Sequence, residues 1–352
     1  MGFLASLQSI LKIRIISKDL LHKVVCPMQL VINTPGSYLR VKEGNFLVKN
    51  EDKVFEVSVK KVQSVMITTS AYLSTDAIKL AMDNNIDVIF LDNFGDPFGR
   101  VWHSKLGSTT AIRRRQLEVA GDATGMEMAK EWVSTKLGNQ VDFLKRLKNS
   151  RPAKEEELDG YITALEEIKN KLEAISGTAE ELRGTIMGLE GAAGKIYFEA
   201  LSFIMPDRYK FNGRSKMPAK DEFNCLLNYA YGVLYSMVEK ACIIAGLDPY
   251  VGLVHADHYN KKSMVFDLIE MYRIFAEETV VYLFSQRKVK QECFDAIPNG
   301  MTLNKEGKAV LIEALNETLD KSVRYRGRNI KQRDTIQFDC HRIANSLIKD
   351  ST

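Results

Sequence analysis

The sequence predicts an α+β protein, in which a small β-rich N-terminal domain precedes a larger all-α C-terminal domain. Valine-rich segments separated by turn residues occupy residues 28–107, and from about Thr110 the chain shows helical periodicity with almost no strand signal. At a rough prior of ~150 residues per domain, 352 residues allow about two domains. We therefore place the boundary near Gly107 and predict domains over residues 28–107 and 108–352.

The N-terminal domain is expected to contain several strands and one short helix. An apolar pattern over residues 54–67 predicts a strand, and residues 87–102 predict two strands joined by a Gly-bearing turn. The helix is predicted over residues 74–84, because Ser74 or Thr75 can serve as its N-cap. This domain is therefore a sheet structure with a single helical interruption.

Residues 1–27 precede the first predicted strand and form an extension of unknown role. Their apolar run is broken by Lys12 and Arg14 and no basic residue precedes it, which is the wrong order for a secretory signal. Residues 1–6 match a myristoylation pattern, but an upstream start codon chosen in error or a lineage-specific arm is the favoured explanation. We expect the remaining chain to fold and act without this extension.

The composition predicts a soluble cytoplasmic protein with no membrane partner. Hydrophobic residues make up 45% of the chain, the net charge is only +4, and no segment approaches the ~18 uninterrupted apolar residues of a membrane span. The cysteines are dispersed, odd in number and never in a Cys-x-x-Cys pair, so neither a disulfide framework nor a zinc site is indicated. They are Cys26, Cys225, Cys242, Cys293 and Cys340.

A carboxylate pair in the helical domain is the first candidate for chemistry. From Ser263 the chain predicts a largely buried helix, and no Gly or Pro intervenes before Asp295. Asp267 and Glu270 are three residues apart, so both carboxylates lie on one face of this helix. Buried carboxylates need a counter-charge, and a metal ion bound with the help of the preceding His255 could supply it.

A glycine-rich helix supplies a third carboxylate, Glu190. Each glycine inside a helix costs about 1 kcal/mol relative to alanine, so the glycines around Glu190 suggest that another helix or a nucleic-acid backbone approaches closely there. The oxygen and nitrogen donors of Glu190, His255, Asp267 and Glu270, without a thiolate, suit Mg²⁺ or Mn²⁺ better than structural zinc. We therefore predict phosphodiester chemistry at a metal site in the helical domain.

Four segments carry a family resemblance. In order along the chain they are LEGAAGKIYFEAL, FNGRSKMPAKDEFNCLLNYAYGVLY, AGLDPYVGLVH and FDLIEMYR. Their residues, order and spacing resemble the CRISPR-associated integrase and endonuclease family of spacer acquisition (the Cas-one, or Cas1, family). The segments MQLVINTPGSYLRVKEGNFLV and IDVIFLDNFGDPFGRV are similar to the family's opening strands, so the resemblance covers nearly everything from Met28 onward.

The resemblance assigns roles to the acidic residues and the histidine. It implies that Glu190, His255 and Glu270 hold the metal, and that Asp267 is the family's additional catalytic acid. A lone buried histidine is more often a hydrogen-bonded core residue than a ligand, but the acidic residues and the motif order favour ligation by His255. The family pattern does not include His258 as a metal ligand. His22, His103 and His341 have no supporting context, and we predict that they are structural or surface residues.

The resemblance also implies a reaction and an assembly. A 3′ hydroxyl of a captured double-stranded DNA fragment attacks the CRISPR repeat with Mg²⁺ or Mn²⁺ as cofactor, and water can replace that hydroxyl to give nuclease activity. The β-rich domains form a homodimer, and a Cas-two protein bridges two dimers. The chain departs from the family's Pro-Pro-x-Asp-Pro-x-Asn pattern at residues 218–224, and Met271 and Tyr272 replace the residues that usually follow the last acid.

Basic residues provide candidate DNA contacts. Arg324, Arg326 and Arg328 lie in a basic stretch with one aromatic residue, and such cations would add salt-dependent affinity for phosphate. Arg214 and Tyr231 lie in family-like motifs and are further candidates on the phosphate side. The arginines at positions 113–115 fit a DNA contact and a solvated helix face equally well.

Two alternatives to an integrase stay open. One is a catalytically silent DNA-capture scaffold whose carboxylates serve structure only, although all four polar positions are retained. The other is an unrelated helical metal-dependent phosphohydrolase. The β-rich domain would be an unexpected addition to such an enzyme, which usually brings several His-Asp pairs.

Overall fold

The structure is a computed structural model that describes residues 28–50, 53–92, 95, 97–101, 110–255 and 261–349. A β-rich part extends to Val101 and a mostly helical part begins at Thr110, which confirms the predicted α+β class. The predicted boundary near Gly107, the extension over residues 1–27 and His258 lie outside the described residues. The exact domain limits therefore stay predictions.

The β-rich part contains two four-stranded sheets. Its strands are β1 (Met28–Ile32), β2 (Ser37–Lys42), β3 (Asn45–Asn50), β4 (Lys53–Val57), β5 (Val62–Ile67), β6 (Ala71–Leu73), β7 (Asp87–Leu91) and β8 (Pro97–Val101). The first sheet has the order β1-β5-β7-β8 and the second has the order β4-β3-β2-β6. An apolar core that includes Leu39, Phe46 and Val65 lies in this part of the chain.

Two local predictions in the β-rich part have different outcomes. Helix α1 (Thr75–Asp83) begins as predicted, because the Ser74 side chain accepts a hydrogen bond from Ala77 N at 3.2 Å. The apolar segment 54–67 is not one strand, since a 3₁₀ turn (Val59–Lys61) separates β4 from β5. The chain changes sheets at this turn, and alternating apolar residues alone do not reveal such a change.

The helical part contains nine helices among the described residues. They are α2 (Thr110–Val119), α3 (Ala123–Asn149), α4 (Glu155–Ala174), α5 (Ala179–Ile204), α6 (Glu222–Ala245), α7 (Ser263–Ile269), α8 (Arg273–Ser285), α9 (Lys305–Leu319) and α10 (Gln332–Lys349). Most residues of α6 are buried, so this helix forms the centre of the domain. The apolar core of the helical part also includes Met66, Ile89 and Leu91 of the first sheet. Packed side chains therefore join the β-rich part to the helical part.

Two short hairpins interrupt the helical part, and helical periodicity did not predict them. They are formed by β9 (Phe294–Ile297) with β10 (Gly300–Leu303) and by β11 (Ser322–Tyr325) with β12 (Arg328–Lys331). Their turns contain residues with positive φ, namely Asn299 at 65°, Arg326 at 45° and Gly327 at 86°. Each strand has four residues, which is too short to give a clear alternation in the sequence.

The helix predicted from Ser263 differs from the structure in two ways. A 3₁₀ turn (Glu270–Tyr272) separates α7 from α8, and α8 ends at Ser285, well before Asp295. Within the turn, the Met271 carbonyl accepts a hydrogen bond from Asn139 Nδ2 of α3 at 3.1 Å. The Asn139 side chain thus provides a hydrogen-bond donor for a backbone carbonyl at the point where the α-helical hydrogen bonding is interrupted. Glu270 is the first residue of this 3₁₀ turn.

The glycines of α5 do not serve close helix packing. Thr178 and Glu181 form a capping box that begins this helix, while Gly184, Gly188 and Gly191 have no neighbouring atom close to where a side chain would lie. The prediction that another helix of this chain approaches closely is therefore wrong for the described residues. The glycines instead leave an open, uncrowded surface beside Glu190.

Candidate active site

The structure brings the four predicted polar side chains to one cleft of about 60 Å³. Helices α3, α5 and α7, the loop before α7 and the following 3₁₀ turn supply its walls. Its lining residues are Ala129, Trp132, Val133, Ile186, Met187, Glu190, Val254, His255, Asp267 and Glu270. A mainly apolar wall thus surrounds three carboxylates and one imidazole, an arrangement that is costly unless the charges are paired.

Asp267 holds the loop that carries His255. Its Oδ2 accepts hydrogen bonds from Leu253 N at 2.6 Å and Val254 N at 3.1 Å, and its Oδ1 accepts one from His255 N at 3.1 Å. The His255 Nδ1 also lies 2.5 Å from Asp267 Oδ1. When Nδ1 keeps its proton and donates a hydrogen bond to this carboxylate, the lone pair of the neutral ring is on Nε2. Asp267 thereby orients His255 in the tautomer that can bind a cation.

Glu270 is buried, with 7% of its side chain exposed, and two cations compensate its charge. Arg273 Nε donates to Glu270 Oε1 at 2.8 Å, and Lys136 Nζ lies 2.6 Å from Glu270 Oε2. Burial by itself raises the pKa of this carboxyl, but Arg273 and Lys136 outweigh burial and hold the pKa at about 2. Glu270 is therefore ionised at neutral pH.

Lys136 of α3 connects the two carboxylates that were predicted to bind metal. Its ammonium also contacts Glu190 Oε1, so one lysine bridges Glu190 and Glu270. Burial lowers the pKa of Lys136, but Glu270 and Glu190 raise the pKa by more, and it lies above its ordinary value. Lys136 was not among the predicted site residues. The sequence feature that could have indicated Lys136 is its spacing from Trp132 and Leu137, because this spacing places a charged residue on the buried face of α3.

A second charged layer lies behind Glu270. The Arg273 guanidinium lies 4.6 Å from the centre of the Tyr231 ring, and the Arg214 guanidinium lies 5.4 Å from it. Tyr231 donates a hydrogen bond to Glu277 Oε1 at 2.6 Å. Arg214 donates to the amide oxygens of Asn224 and Asn228. The contacts of Arg214 and Tyr231 are thus intramolecular, and their predicted role near phosphate stays a prediction.

The residue types of the cleft fit a hard divalent cation. Glu270 Oε2 is buried and accepts no hydrogen bond of ordinary geometry, although Lys136 lies nearby, so its lone pairs can serve a metal. Among the described residues, however, no three His, Cys, Asp or Glu side chains lie close enough together to hold an ion as they stand. The ammonium of Lys136 stands between two of the donors. The donor chemistry is present, but the donors do not converge.

The basic stretch around Arg326 forms the β11–β12 hairpin. Arg324, Arg326 and Arg328 are exposed at its end, and the Tyr325 ring stacks on Phe338 of α10 with centroids 6.1 Å apart. Tyr325 Oη donates to Asp339 Oδ1 at 2.7 Å. The hairpin is thus anchored on α10, while Arg324 of β11, Arg326 of the turn and Arg328 of β12 are exposed.

Asp339 connects the hairpin to the turn that carries Glu270. Its Oδ2 accepts a hydrogen bond from Tyr272 Oη at 3.2 Å, and Tyr272 is the last residue of that 3₁₀ turn. The neighbouring Arg333 is buried and pairs with Asp320 at 2.8 Å, so it is not exposed for DNA. The hairpin turn is therefore the accessible part of the basic stretch.

Other sequence predictions concern the surface and the membrane. His341 lies exposed on α10 as predicted, and Arg115 pairs with Glu118 at 3.0 Å. Cys225, Cys242, Cys293 and Cys340 are buried and carry free thiols. No helix in the described ranges is both long and apolar enough to cross a bilayer.

Comparison with known proteins identifies relatives at the level of sequence and fold. The chain is 35% identical over 316 residues to CRISPR-associated endonuclease Cas1 1 of Archaeoglobus fulgidus, covering 86% of this chain and 91% of the relative. It is 30% identical to CRISPR-associated endonuclease Cas1 2 of Saccharolobus solfataricus, covering 72% and 74%.

Solved structures share the fold. A casposase bound to integration product superposes with a TM-score of 0.79 at 21% identity, covering 92% of this chain and 91% of the other. A Cas1 protein from Thermotoga maritima superposes with a TM-score of 0.77 at 22% identity, covering 91% and 97%. The family model for CRISPR associated protein Cas1 matches residues 30–317, and this chain belongs to the Cas1 family.

Proposed function

We propose that this protein is a metal-dependent DNA endonuclease and integrase of CRISPR adaptation. The observation that carries the proposal is the single cleft lined by Glu190, His255, Asp267 and Glu270. Curated relatives are named CRISPR-associated endonucleases, and one structural neighbour is titled as a casposase bound to its integration product. Insertion of captured DNA fragments into the CRISPR array requires both the breaking and the joining of phosphodiester bonds, and it therefore agrees with both names.

The residues of the cleft divide the work between metal binding and orientation. Glu190, Glu270 and His255 would hold Mg²⁺ or Mn²⁺, which supplies charge neutralisation at a scissile phosphate when bound. Asp267 holds the loop and the imidazole of His255 in one orientation through four hydrogen-bonding contacts. Arg273 fixes one oxygen of Glu270. No protein nucleophile is needed, because a 3′ hydroxyl of the captured fragment, or water, attacks the phosphorus of the repeat strand. The existing bond from that phosphorus to the strand's 3′ oxygen breaks, and this oxygen leaves as a hydroxyl group.

The surface beside the cleft supports access by DNA. The open glycine face of α5 adjoins Glu190, so a phosphate backbone can approach without displacing side chains. The exposed arginines of the β11–β12 turn supply sequence-independent contacts to phosphate. Double-stranded DNA is the substrate class that these two surfaces fit.

The proposed assembly is a homodimer that joins a Cas2 protein. Exposed apolar side chains on the β-rich part support a protein contact there, because Tyr38 and Tyr72 are paired neighbours on β2 and β6 and Phe98 is 74% exposed. A structural neighbour with a TM-score of 0.77 and 20% identity is titled as a Cas6-RT-Cas1–Cas2 complex. Dimerisation through the β-rich part and association with Cas2 are proposed from these two observations.

The decisive experiment measures cleavage and joining of branched DNA with Mn²⁺ or Mg²⁺. EDTA should abolish activity, and His255→Ala or Glu190→Gln should remove it while the melting temperature changes little, since both side chains are partly exposed. His341→Ala is the matched control, because this histidine lies exposed on α10. Full turnover by His255→Ala would refute the proposed metal site.

One observation favours the silent scaffold as a second candidate. Lys136 already neutralises Glu190 and Glu270, which is what a purely structural role of these carboxylates requires. A scaffold would bind branched DNA normally but would not cleave or join it with either metal. The same assay therefore separates the two candidates, with DNA binding measured in parallel.

A further inference from the structure

Lys136 occupies the position between the two acidic side chains proposed to bind metal. Its ammonium contacts Glu190 Oε1 and lies 2.6 Å from Glu270 Oε2, and only 8% of the side chain is exposed. Arg273 binds the other oxygen of Glu270. The cluster therefore contains two carboxylates and two cations, and its charges cancel without any bound ion.

A divalent cation cannot simply be added to this neutral cluster. Two further positive charges beside the buried ammonium of Lys136 and the partly buried guanidinium of Arg273 would repel both, and poor solvation near the protein interior makes that repulsion strong. Glu270 Oε2, the oxygen of this carboxylate that faces the lysine, accepts no hydrogen bond of ordinary geometry. An ion that binds there must take the place of the ammonium.

The lysine has a route by which it can leave. Its flexible four-carbon stem allows the ammonium to move while α3 stays in place. Glu190, its partner on the outer side, has 35% of its side chain exposed, whereas Glu270 is almost fully buried. The ammonium can therefore swing toward solvent past Glu190, whereas Arg273 is held by its hydrogen bond to Glu270 Oε1 and by its contact with the Tyr231 ring.

We propose that Lys136 is an internal counter-ion that holds Glu190 and Glu270 when no divalent cation is bound and is displaced when the cation binds. Lys136 thereby lowers the affinity of the site for the ion and stabilises the metal-free protein. The inference rests on the proposed metal site and adds to it a positioning residue that competes with the metal. It also explains why the donors line one cleft but do not converge.

The test is direct binding of Mn²⁺, followed by the electron paramagnetic resonance signal of the free ion. Lys136→Met should bind Mn²⁺ at least tenfold more tightly than the wild type, because the competing charge is gone. Without metal it should melt at a lower temperature, and Mn²⁺ should raise its melting temperature by more than it raises that of the wild type. Lys136→Arg should retain the weak wild-type affinity.

Two further variants control for folding and for general charge. Lys136→Gln removes the charge but keeps a hydrogen-bond donor, so it replaces Lys136→Met if the apolar variant does not fold. Lys145→Met removes a lysine from the same helix, where it pairs with Glu166 at the surface, and should leave Mn²⁺ affinity unchanged. Any effect common to Lys136→Met and Lys145→Met would come from net charge and would overturn the proposal.

The outcomes separate this inference from the proposed function. Equal or weaker Mn²⁺ binding by Lys136→Met, with binding abolished by His255→Ala, would overturn the role of Lys136 and leave the metal site intact. An absence of Mn²⁺ binding at millimolar concentration in every variant would overturn both. Tighter binding by Lys136→Met that His255→Ala abolishes would support both.

Discussion

Asp267 is the residue on which the geometry of His255 depends. An asparagine has the same shape but only one acceptor oxygen, so Asp267→Asn would turn an amide toward backbone N–H groups that now donate to a carboxylate. We expect a loss of about 1–3 kcal/mol in the free energy of unfolding for the disturbed buried hydrogen bonds. Urea denaturation measures this loss, and Mn²⁺ binding should weaken in parallel because His255 is no longer oriented.

Asp248→Asn is the matched control for that substitution. Asp248 lies in the same loop, and its side chain accepts a hydrogen bond from Tyr250 N at 2.9 Å. We expect less than about 1 kcal/mol of destabilisation from this single exposed hydrogen bond. Equal losses in the two variants would show that Asp267 has no special part in holding the loop.

Tyr231 supports the buried carboxylate of Glu277. Burial raises the pKa of Glu277 above its ordinary value, while the Tyr231 hydrogen bond and nearby cations oppose the shift. Tyr231→Phe removes that donor, so we expect a further rise in this pKa and a loss of about 1–3 kcal/mol in the free energy of unfolding at neutral pH.

The sign of the pH dependence follows from the raised pKa. With a folded-state pKa above the unfolded value, the folded protein binds more protons in the interval between them, so stability rises as pH falls through it. The deficit of Tyr231→Phe should therefore be largest above the folded pKa and shrink as pH approaches the unfolded value of about 4.3. Urea denaturation between pH 5 and pH 8 tests this, with Tyr282→Phe as control. A deficit independent of pH would contradict it.

The site residues differ in how far the sequence could predict them. That Glu190, His255, Asp267 and Glu270 lie together was predictable, because their residue types and motif order are unusual in apolar surroundings. Lys136 was not predicted, because its spacing from Trp132 and Leu137 places it on the buried face of α3 but does not show which carboxylates it meets there. The requirement for a counter-charge was correctly predicted for Glu270, but in the structure two protein cations meet it.

At the scale of elements, those held by contacts between residues close in sequence were predicted, and those held by contacts between distant residues were not. Helix α1 was predicted with its cap because Ser74 and Ala77 are neighbours in the chain. The 3₁₀ turn after α7 was not predicted, because the hydrogen bond that accompanies it comes from Asn139, 132 residues away. The β11–β12 hairpin is also anchored from another element, through Asp339 of α10.

The β11–β12 turn is the element for which a DNA contact can be measured directly. Its three arginines are exposed, and Arg326→Ala with Arg328→Ala removes two of them. We expect weaker binding to all duplexes and a slope of log affinity against log salt that is shallower by roughly one unit per lost phosphate contact. Binding isotherms at several salt concentrations on two unrelated DNA sequences measure this slope.

Lys60→Ala with Lys61→Ala removes the same charge from an exposed turn of the β-rich part and serves as the control. The salt slope of this pair should stay at the wild-type value. A loss confined to one DNA sequence, or an unchanged slope in the arginine variant, would show that the hairpin arginines serve another role.

At the scale of the whole molecule, a buried polar network joins the β-rich part to α6. Arg100 of β8 donates to the Ser236 carbonyl at 2.6 Å and lies 3.3 Å from Glu239 of α6 and 3.6 Å from Asp87 of β7. Lys240 of α6 binds Asp87 at 2.8 Å. Residues of both parts also line an adjacent cavity of about 190 Å³. The two parts are therefore joined by charges as well as by the shared apolar core.

Replacing Arg100 should show how much this junction contributes to stability. Arg100→Met leaves the buried carboxylates of Asp87 and Glu239 with one cation fewer, since Lys240 and Lys262 are the remaining cations that pair with them among the described residues. We expect a loss of about 3 kcal/mol in the free energy of unfolding, at the low end of the cost of breaking a buried ion pair. Lys148→Met, which breaks a surface pair with Asp159, should cost less than about 1 kcal/mol. Urea denaturation followed by circular dichroism measures both variants. A loss below 1 kcal/mol in Arg100→Met would show that apolar packing alone holds the two parts together.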